Sequence, residues 1–346
     1  MSDTLQGQRG IDEDRVSIWL RDNVAGVESP FTFRPFVGGL SNLTFEVRDA
    51  AGRKLVLRRP PLGELLPSAH DVTREHRIIS ALGPTAVPVP ATLGVCQDPE
   101  VNGAPFYVMD FAEGAILRDE EGVENSFPPA RRTAIADSFI DALADLHRLD
   151  PDAVGLGDLS RRDGYISRQL SRWNRQYEAS RSRTVAEVTE AHRLLAERIP
   201  TQPRPAIVHG DYRIDNTVIA ADGTVEAVLD WELCTLGDPL ADLGLLLLYW
   251  VEPGDDDSFL PGGAPTLAPG FPRRDHLLAR YGARTGANLT EIDFYVAFGS
   301  WKLACITEGV LSRYGAMGTD DDLSLERLTA QTPMLARMAL ERLEGR

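Results

Sequence analysis

The stretch from Ile207 to Asp242, IVHGDYRIDNTVIAADGTVEAVLDWELCTLGDPLAD, carries the residues best suited to chemistry. It opens a polar loop with His209-Gly210-Asp211, reaches Asn216 five positions after Asp211, and places Asp230 after the next apolar run. Mg²⁺ prefers carboxylate, amide and water oxygens. An acceptor hydroxyl needs a carboxylate that orients it and takes its proton. D-x-x-x-x-N is the spacing at which a phosphoryl-transfer loop sets its base and one metal ligand, and Asp230 stands where a second ligand belongs. The competing reading is a hairpin with a solvated acidic turn, since Asp and Asn are ordinary turn residues. The ordered combination of Asp211, Asn216 and Asp230 favours chemistry.

The elements that must position these groups are short. Ile207-Val208 ends a strand, and Thr217–Ile219 and Thr224–Leu229 are two apolar runs joined across Asp222-Gly223, a hairpin signal. Counting outward from that turn brings Asn216 level with Leu229 and Asp230. Asp238-Pro239 announces a helix start, with Asp242 one turn in among Leu243 to Leu248. A carboxylate in so apolar a helix must find donors.

HGDYRIDN followed by LDWELCTLGDPLADLG resembles the aminoglycoside phosphotransferase family, which shares the protein-kinase-like fold with choline kinase. Within it, the chain most resembles the bacterial branch related to the kinase-like domain fused to some acyl-CoA dehydrogenases. The likeness runs from Phe36 to about Tyr314. It implies that Asp242 braces the backbone of the His209–Asp211 loop, and that ATP with Mg²⁺ donates a γ-phosphoryl group to a small-molecule hydroxyl.

The preceding residues read as a nucleotide-binding lobe. Residues 12–24 form an amphipathic helix with Val16, Trp19 and Leu20 on one face. Gly38-Gly39-Leu40-Ser41-Asn42 lies between two strand-like runs and reads as a flap whose backbone N–H groups approach phosphate, or as a plain hairpin. Arg53–Arg59 is a strand on which Leu55 and Leu57 share one face, Val56 and Arg58 the other. The resemblance places Arg58 where a kinase carries a phosphate-binding Lys, as in choline-kinase-like relatives; Arg59 and Lys54 are the alternatives. Residues 71–82 form a capped helix with Ile78, Ile79 and Leu82 inward. Glu75 is either the partner of Arg58 or an exposed helix glutamate. Thr92–Cys96 and Pro105–Phe111 read as closing strands. By resemblance, the backbone of Met109 to Phe111 pairs with the adenine edge.

From Pro128 the pattern is helical, with Ile135, Phe139, Leu143 and Leu146 on one stripe and His147 read as structural. Residues 163–180 form a basic helix that lines an acceptor pocket or lies on the core. Residues 252–272 have the composition of a long mobile loop, a lid or an insertion. A helix over 291–314 has Phe294, Phe298, Trp301 and Cys305 as core positions, with Lys302 and Glu308 as pocket candidates.

Composition bounds the class. With 346 residues, 43% hydrophobic and 25% charged, the chain is long enough for two lobes. A formal net charge of -16 argues against nonspecific binding to nucleic acid or anionic membrane. Cys96, Cys234 and Cys305 show no metal-type spacing and read as buried thiols of a cytoplasmic protein. The longest apolar run, Leu243–Val251, is too short to span a bilayer.

The resulting expectation is an α+β, two-lobed protein-kinase-like fold. Residues 1–111 form an antiparallel-sheet lobe that binds nucleotide through Gly38, Gly39, Ser41, Asn42, Arg58, Glu75, Met109 and Phe111. Residues 112–346 form a mostly helical lobe that carries catalysis and the acceptor. Asp211 orients and deprotonates the acceptor, Asn216 and Asp230 hold Mg²⁺, and Arg213 neutralises transferred charge or braces the loop. The resemblance favours a hydroxylated acyl thioester as acceptor, with an aminoglycoside-like alcohol as the other possibility. A metal-dependent phosphoesterase and a catalytically silent nucleotide-binding protein are the alternatives.

Overall fold

The structure is a computed structural model describing residues 10–36, 42–62, 71–260, 262–317 and 322–345. The chain divides into two compact units: Met1–Gly114 with Glu226–Glu232, and Ala115–Val225 with Leu233–Arg346.

The first unit is built on a five-stranded sheet. Its first helix, Glu13–Asn23 (α1), starts at Asp12, whose carboxylate accepts the Arg15 N–H at 3.0 Å. Val16 and Leu20, one turn apart, are buried, and Trp19 meets Phe106 edge-on at 4.9 Å. The strands Thr32–Pro35 (β1), Leu43–Arg48 (β2), Lys54–Arg59 (β3), Thr92–Cys96 (β4) and Phe106–Asp110 (β5) are all antiparallel, in the order β1-β2-β3-β5-β4. Alternation sorts β3 as its sequence predicts. Leu55 and Leu57 join Phe45, Val47, Phe106 and Val108 in the core that includes Val16 and Leu20. Arg59 shares their side of the strand; its guanidinium binds the backbone carbonyls of Gly10 and Asn102. Arg58 faces the other way.

That other face is served by the helix Val72–Leu82 (α2). Asp71 caps it, accepting the N–H groups of Thr73 and Arg74, each at 3.0 Å. A cap of this kind contributes about 1 kcal/mol. Ile78, Ile79 and Leu82 are inward as expected, and so is Glu75, only 2% exposed. The reading of Glu75 as an exposed helix residue is therefore excluded. A short helix, Pro99–Asn102 (α3), precedes β5. The segment Glu226–Glu232 is pinned to this unit by the Val228 N–H, which donates to Pro88 O at 2.8 Å.

The second unit is mostly helical: Glu120–Ser126 (α4), Pro129–Arg148 (α5), Tyr165–Ser180 (α6) and Ala186–Glu197 (α7). Ala206–Val208 (β6) follows, then Thr217–Ile219 (β7), while Val225–Val228 (β8) leads into the Glu226–Glu232 segment of the first unit. Thr235–Gly237 (β9), which the sequence pattern did not reveal, pairs antiparallel with β6. The remaining helices are Pro239–Tyr249 (α8), Arg274–Thr285 (α9), Ile292–Met317 (α10) and Asp322–Glu344 (α11).

Ile135, Phe139, Leu143 and Leu146 form the buried stripe of α5. On its outer side, Asp137, Asp141 and Asp145 meet His276, Arg280 and Arg284 of α9 at 2.6, 2.7 and 2.6 Å. The constant offset between partners means that the two helices run parallel. Phe294, Phe298, Trp301 and Cys305 are buried on α10, as read.

Residues 252–272 depart from expectation, since they are anchored and not a free loop. Phe259 and Leu260 are buried, Trp250 Nε1 donates to Pro272 O at 2.9 Å, and Thr266 Oγ1 to Val251 O at 2.8 Å. Gln331 of α11 donates to Phe259 O at 3.3 Å. Composition concealed this because scattered apolar residues among glycines and prolines carry no period. No described helix is long and apolar enough to cross a membrane.

Candidate active site

In the second unit, the loop after β6 is held from below by one carboxylate. Asp238 caps α8, accepting Leu240 N–H at 3.1 Å, which fixes Asp242 one turn further on. Asp242 Oδ2 accepts the His209 N–H at 2.6 Å and Oδ1 accepts the Gly210 N–H at 2.8 Å. His147 Nε2 lies 3.2 Å from Oδ2, and His147 Nδ1 lies 2.8 Å from the Tyr281 hydroxyl. Burial alone would push the Asp242 carboxyl up, but the bond from His147 and the loop N–H groups hold it below its ordinary value. His147, read as structural, thus orients the brace.

Gly210 has φ +86°, and a Cβ there would lie 2.8 Å from Leu233 O, so glycine is required. Its carbonyl accepts from Lys302 Nζ at 2.9 Å. Burial lowers Lys302 while Asp211 and Asp242 oppose the shift. Glu308, expected to face a pocket with Lys302, does not: it is fully buried, 3.3 Å from Ser182 Oγ and 3.4 Å from Arg183.

Asp211 leads out of this loop. Asn216 Nδ2 donates to Asp211 O at 2.9 Å and to Asp211 Oδ2 at 3.0 Å, so the D-x-x-x-x-N spacing becomes direct contact. Asn216 Oδ1 has no hydrogen-bond donor among the described residues. Arg213 Nε lies 3.3 Å from Asp211 Oδ2 and its Nη1 3.1 Å from Asp215 Oδ2. It also lies over the Tyr249 ring, 5.3 Å from the centroid. Burial works against the Arg213 cation, but Asp211 and Asp215 more than compensate and raise it.

In the first unit, Arg58 gathers carboxylates. Its Nε is 3.1 Å from Glu75 Oε2, and its Nη2 is 2.6 Å from Asp230 Oδ1 and 4.0 Å from Glu232 Oε2. Burial opposes the charge, yet Glu75 and Asp230 raise Arg58 above its ordinary value. Burial pushes the Glu75 carboxyl up to about 7 against the pull of Arg58. Asp230 has φ +63°, the one positive φ outside glycine among the described residues. Asp tolerates this region better than most side chains, and such backbone clusters at functional positions.

Asn42 is buried, with Nδ2 3.4 Å from Glu232 Oε2. Glu232 is a neighbour that sequence reasoning missed; its position two residues after Asp230 was the available signal. Lys54 pairs with Glu113 at 2.6 Å and lies over the Phe111 ring at 4.6 Å. Met109 is level with Val56 in the ladder, and Phe111 is the first residue past β5. Gly38, Gly39 and Ser41 lie outside the described residues.

A five-stranded antiparallel sheet whose Arg58 pairs with the helix-borne Glu75, and a helical unit with a braced Asp/Asn loop, define the class: a protein-kinase-like phosphotransferase. The model of the phosphotransferase enzyme family matches residues 32–295, and the chain belongs to that family. It is 37% identical over 300 residues to acyl-CoA dehydrogenase family member 10 of Mus musculus, covering 82% of this chain and 27% of that protein. The chain therefore spans about a quarter of that relative's length. A crystal structure from Ralstonia eutropha JMP134, provisionally assigned as an aminoglycoside phosphotransferase, superposes with TM-score 0.82 at 32% identity, covering 97% of this chain and 99% of that one. The fold is shared more distantly with aminoglycoside phosphotransferase APH(4)-Ia in complex with AMP-PNP and hygromycin B, at TM-score 0.57 and 17% identity over 93% of this chain and 98% of that one.

Proposed function

We propose that the protein transfers the γ-phosphoryl group of ATP to a hydroxyl of a small molecule, with Mg²⁺ as the accompanying metal. The observation that carries this reading is the Asp211 loop. Asp242 fixes its backbone at two N–H groups, and Asn216 fixes the Asp211 carboxylate at 3.0 Å. A partly exposed carboxylate held this way suits a base that orients an acceptor hydroxyl and receives its proton.

Arg58, held by Glu75, is the proposed cation for the nucleotide phosphates. Asn42, Gly38, Gly39 and Ser41 are proposed as further phosphate-binding residues, and the backbone of Met109–Phe111 for the adenine edge. Arg213 supplies positive charge near Asp211, and its bonds to Asp211 and Asp215 also brace the loop. Asn216 and Asp230 are each proposed as Mg²⁺ ligands; a donor-free amide oxygen and a carboxylate fit an ion that takes few protein oxygens. When bound, the metal would neutralise phosphate charge. The three cysteines are free and buried, which supports a reducing, cytoplasmic setting.

The relative named as an acyl-CoA dehydrogenase favours a hydroxylated acyl thioester as acceptor over an aminoglycoside. A screen of hydroxyacyl-CoA thioesters, other hydroxylated metabolites and aminoglycosides for acceptor-dependent ADP release tests the function. Free phosphate without a phosphorylated acceptor would indicate a phosphoesterase. Tight ATP binding with no turnover on any acceptor would indicate a silent binder.

A further inference from the structure

Helix α6 carries Arg168, Arg172 and Arg175 at spacings of four and three, which puts them on one helical face. Arg168 and Arg175 are about 10 Å apart along the axis, at 1.5 Å per residue. None of the three pairs with a carboxylate among the described residues, whereas the preceding Arg162 is held by Asp152 at 2.5 Å. Among the described residues, Arg168 Nη2 donates only to the Arg161 carbonyl, at 2.6 Å, and Arg172 lies over the Trp173 ring at 5.2 Å. In a chain with 52 acidic against 36 basic residues, three such cations on one face stand out.

The face connects to the Asp211 loop inside the same unit. Lys302 Nζ lies over Trp173 at 5.5 Å while donating to Gly210 O at 2.9 Å. Of its three N–H donors, that is the one with a protein acceptor among the described residues. Arg172 is near enough that its charge acts on Lys302. The base of α6 is set by close packing, since a Cβ on Gly237 would lie 2.5 Å from the Tyr165 ring. Cations in this arrangement match phosphate oxygens, which guanidinium groups bind in pairs.

We propose that the α6 arginines, with Lys302, bind the phosphate or pyrophosphate group of the acceptor, so that the substrate is an anionic, phosphate-bearing alcohol and not a polycation. This rests on the phosphotransferase reading and names its substrate class. The hydroxyl end lies toward Asp211 and the phosphate end along α6.

The test is calorimetric titration of the full chain with coenzyme A, which carries a pyrophosphate and a further phosphate. It is run with and without saturating Mg·ADP, beside pantetheine, which has the hydroxylated arm and no phosphate. The protein should bind coenzyme A with Mg·ADP present and give no heat with pantetheine. The triple variant R168Q/R172Q/R175Q should bind at least ~10-fold more weakly, as expected from lost charge-assisted bonds, with circular dichroism confirming its fold. The single variants R168Q and R175Q should give graded losses. Equal binding by wild type and the variants, binding abolished by Mg·ADP, or no binding of coenzyme A would overturn the inference. Mg·ATP titrated in parallel separates the two failures: absent ATP binding sinks the phosphotransferase reading, whereas normal ATP binding with unchanged coenzyme A affinity sinks only the acceptor class.

Discussion

Arg58 Nη2 donates to Asp230 Oδ1 at 2.6 Å. One hydrogen bond thus ties the proposed phosphate-binding cation to the proposed metal-binding carboxylate. A ligand that engages both must replace this contact with its own charges, phosphate oxygens for Arg58 and a cation for Asp230. Glu75, which contacts Nε and not Nη2, keeps Arg58 in place during that exchange.

Arg58→Ala should therefore damage both stability and nucleotide affinity. Glu75, 2% exposed, would lose its cation, and breaking a buried pair from one side costs about 3–5 kcal/mol. Urea unfolding should show this loss, and calorimetry a weaker titration with Mg·ATP. Glu75→Gln should give a milder nucleotide defect. Unchanged ATP affinity in both variants would remove the pair from the nucleotide site.

Glu75 also makes a pH prediction. Its folded value, about 7, exceeds the ordinary 4.5, so the folded chain holds more protons than the unfolded chain between them. The contribution to stability is full below about 4.5 and is lost as pH rises through about 7. At 1.36 kcal/mol per unit the loss is at most about 3 kcal/mol. Unfolding free energies of wild type and Glu75→Gln, compared from pH 4.5 to 8, should converge or cross as this penalty develops in the wild type alone. A constant difference across that range would contradict the assignment.

How much of this was legible depends on sequence distance. Asp211 and Asn216 are five residues apart, and the caps at Asp71 and Asp238 act within three, so local spacing announced them. The period of two along β3 separated Arg58 from Arg59, but Arg59's partners lie 49 and 43 residues away, so its burial left no local trace. The same holds for the Arg58–Asp230 bond, which spans 172 positions. Thr235–Gly237 is three residues long, too short for any alternation to show. His147 could be read as structural, but its contact with Asp242, 95 positions on, could not be seen.

Asp242→Asn should destabilise the loop. A neutral amide has one acceptor oxygen where the carboxylate uses two, so one of the His209 and Gly210 N–H groups loses its partner in a buried place. Hydrogen bonds to a charged group contribute about 1.5–3 kcal/mol each, and that is the expected loss in unfolding free energy. Turnover should fall as well, while Mg·ATP affinity changes little. Stability equal to wild type would show that the loop does not depend on this brace.

Asp230→Asn should raise the Mg²⁺ concentration needed for half-maximal turnover, because a charged metal ligand becomes neutral. It also weakens the hold on Arg58, so ATP affinity should drop in parallel. A magnesium series on wild type and variant checks this. An unshifted magnesium dependence would take Asp230 out of metal binding.

The central claim is that Asp211 is the base that takes the proton of an acceptor hydroxyl as that oxygen receives the γ-phosphoryl group of ATP and ADP leaves. Asp211→Asn keeps the size of the side chain and removes the carboxylate that receives the proton. The direct measurement follows the γ-phosphate of labelled ATP onto a hydroxyacyl-CoA acceptor, at saturating Mg²⁺, in wild type and Asp211→Asn. The account predicts labelled acceptor with wild type and a rate about 10²–10⁴-fold lower in the variant, or roughly 3–5 kcal/mol of transition-state stabilisation, with Mg·ATP affinity nearly unchanged. Label appearing only as free phosphate, or a variant that transfers at the wild-type rate, would contradict it.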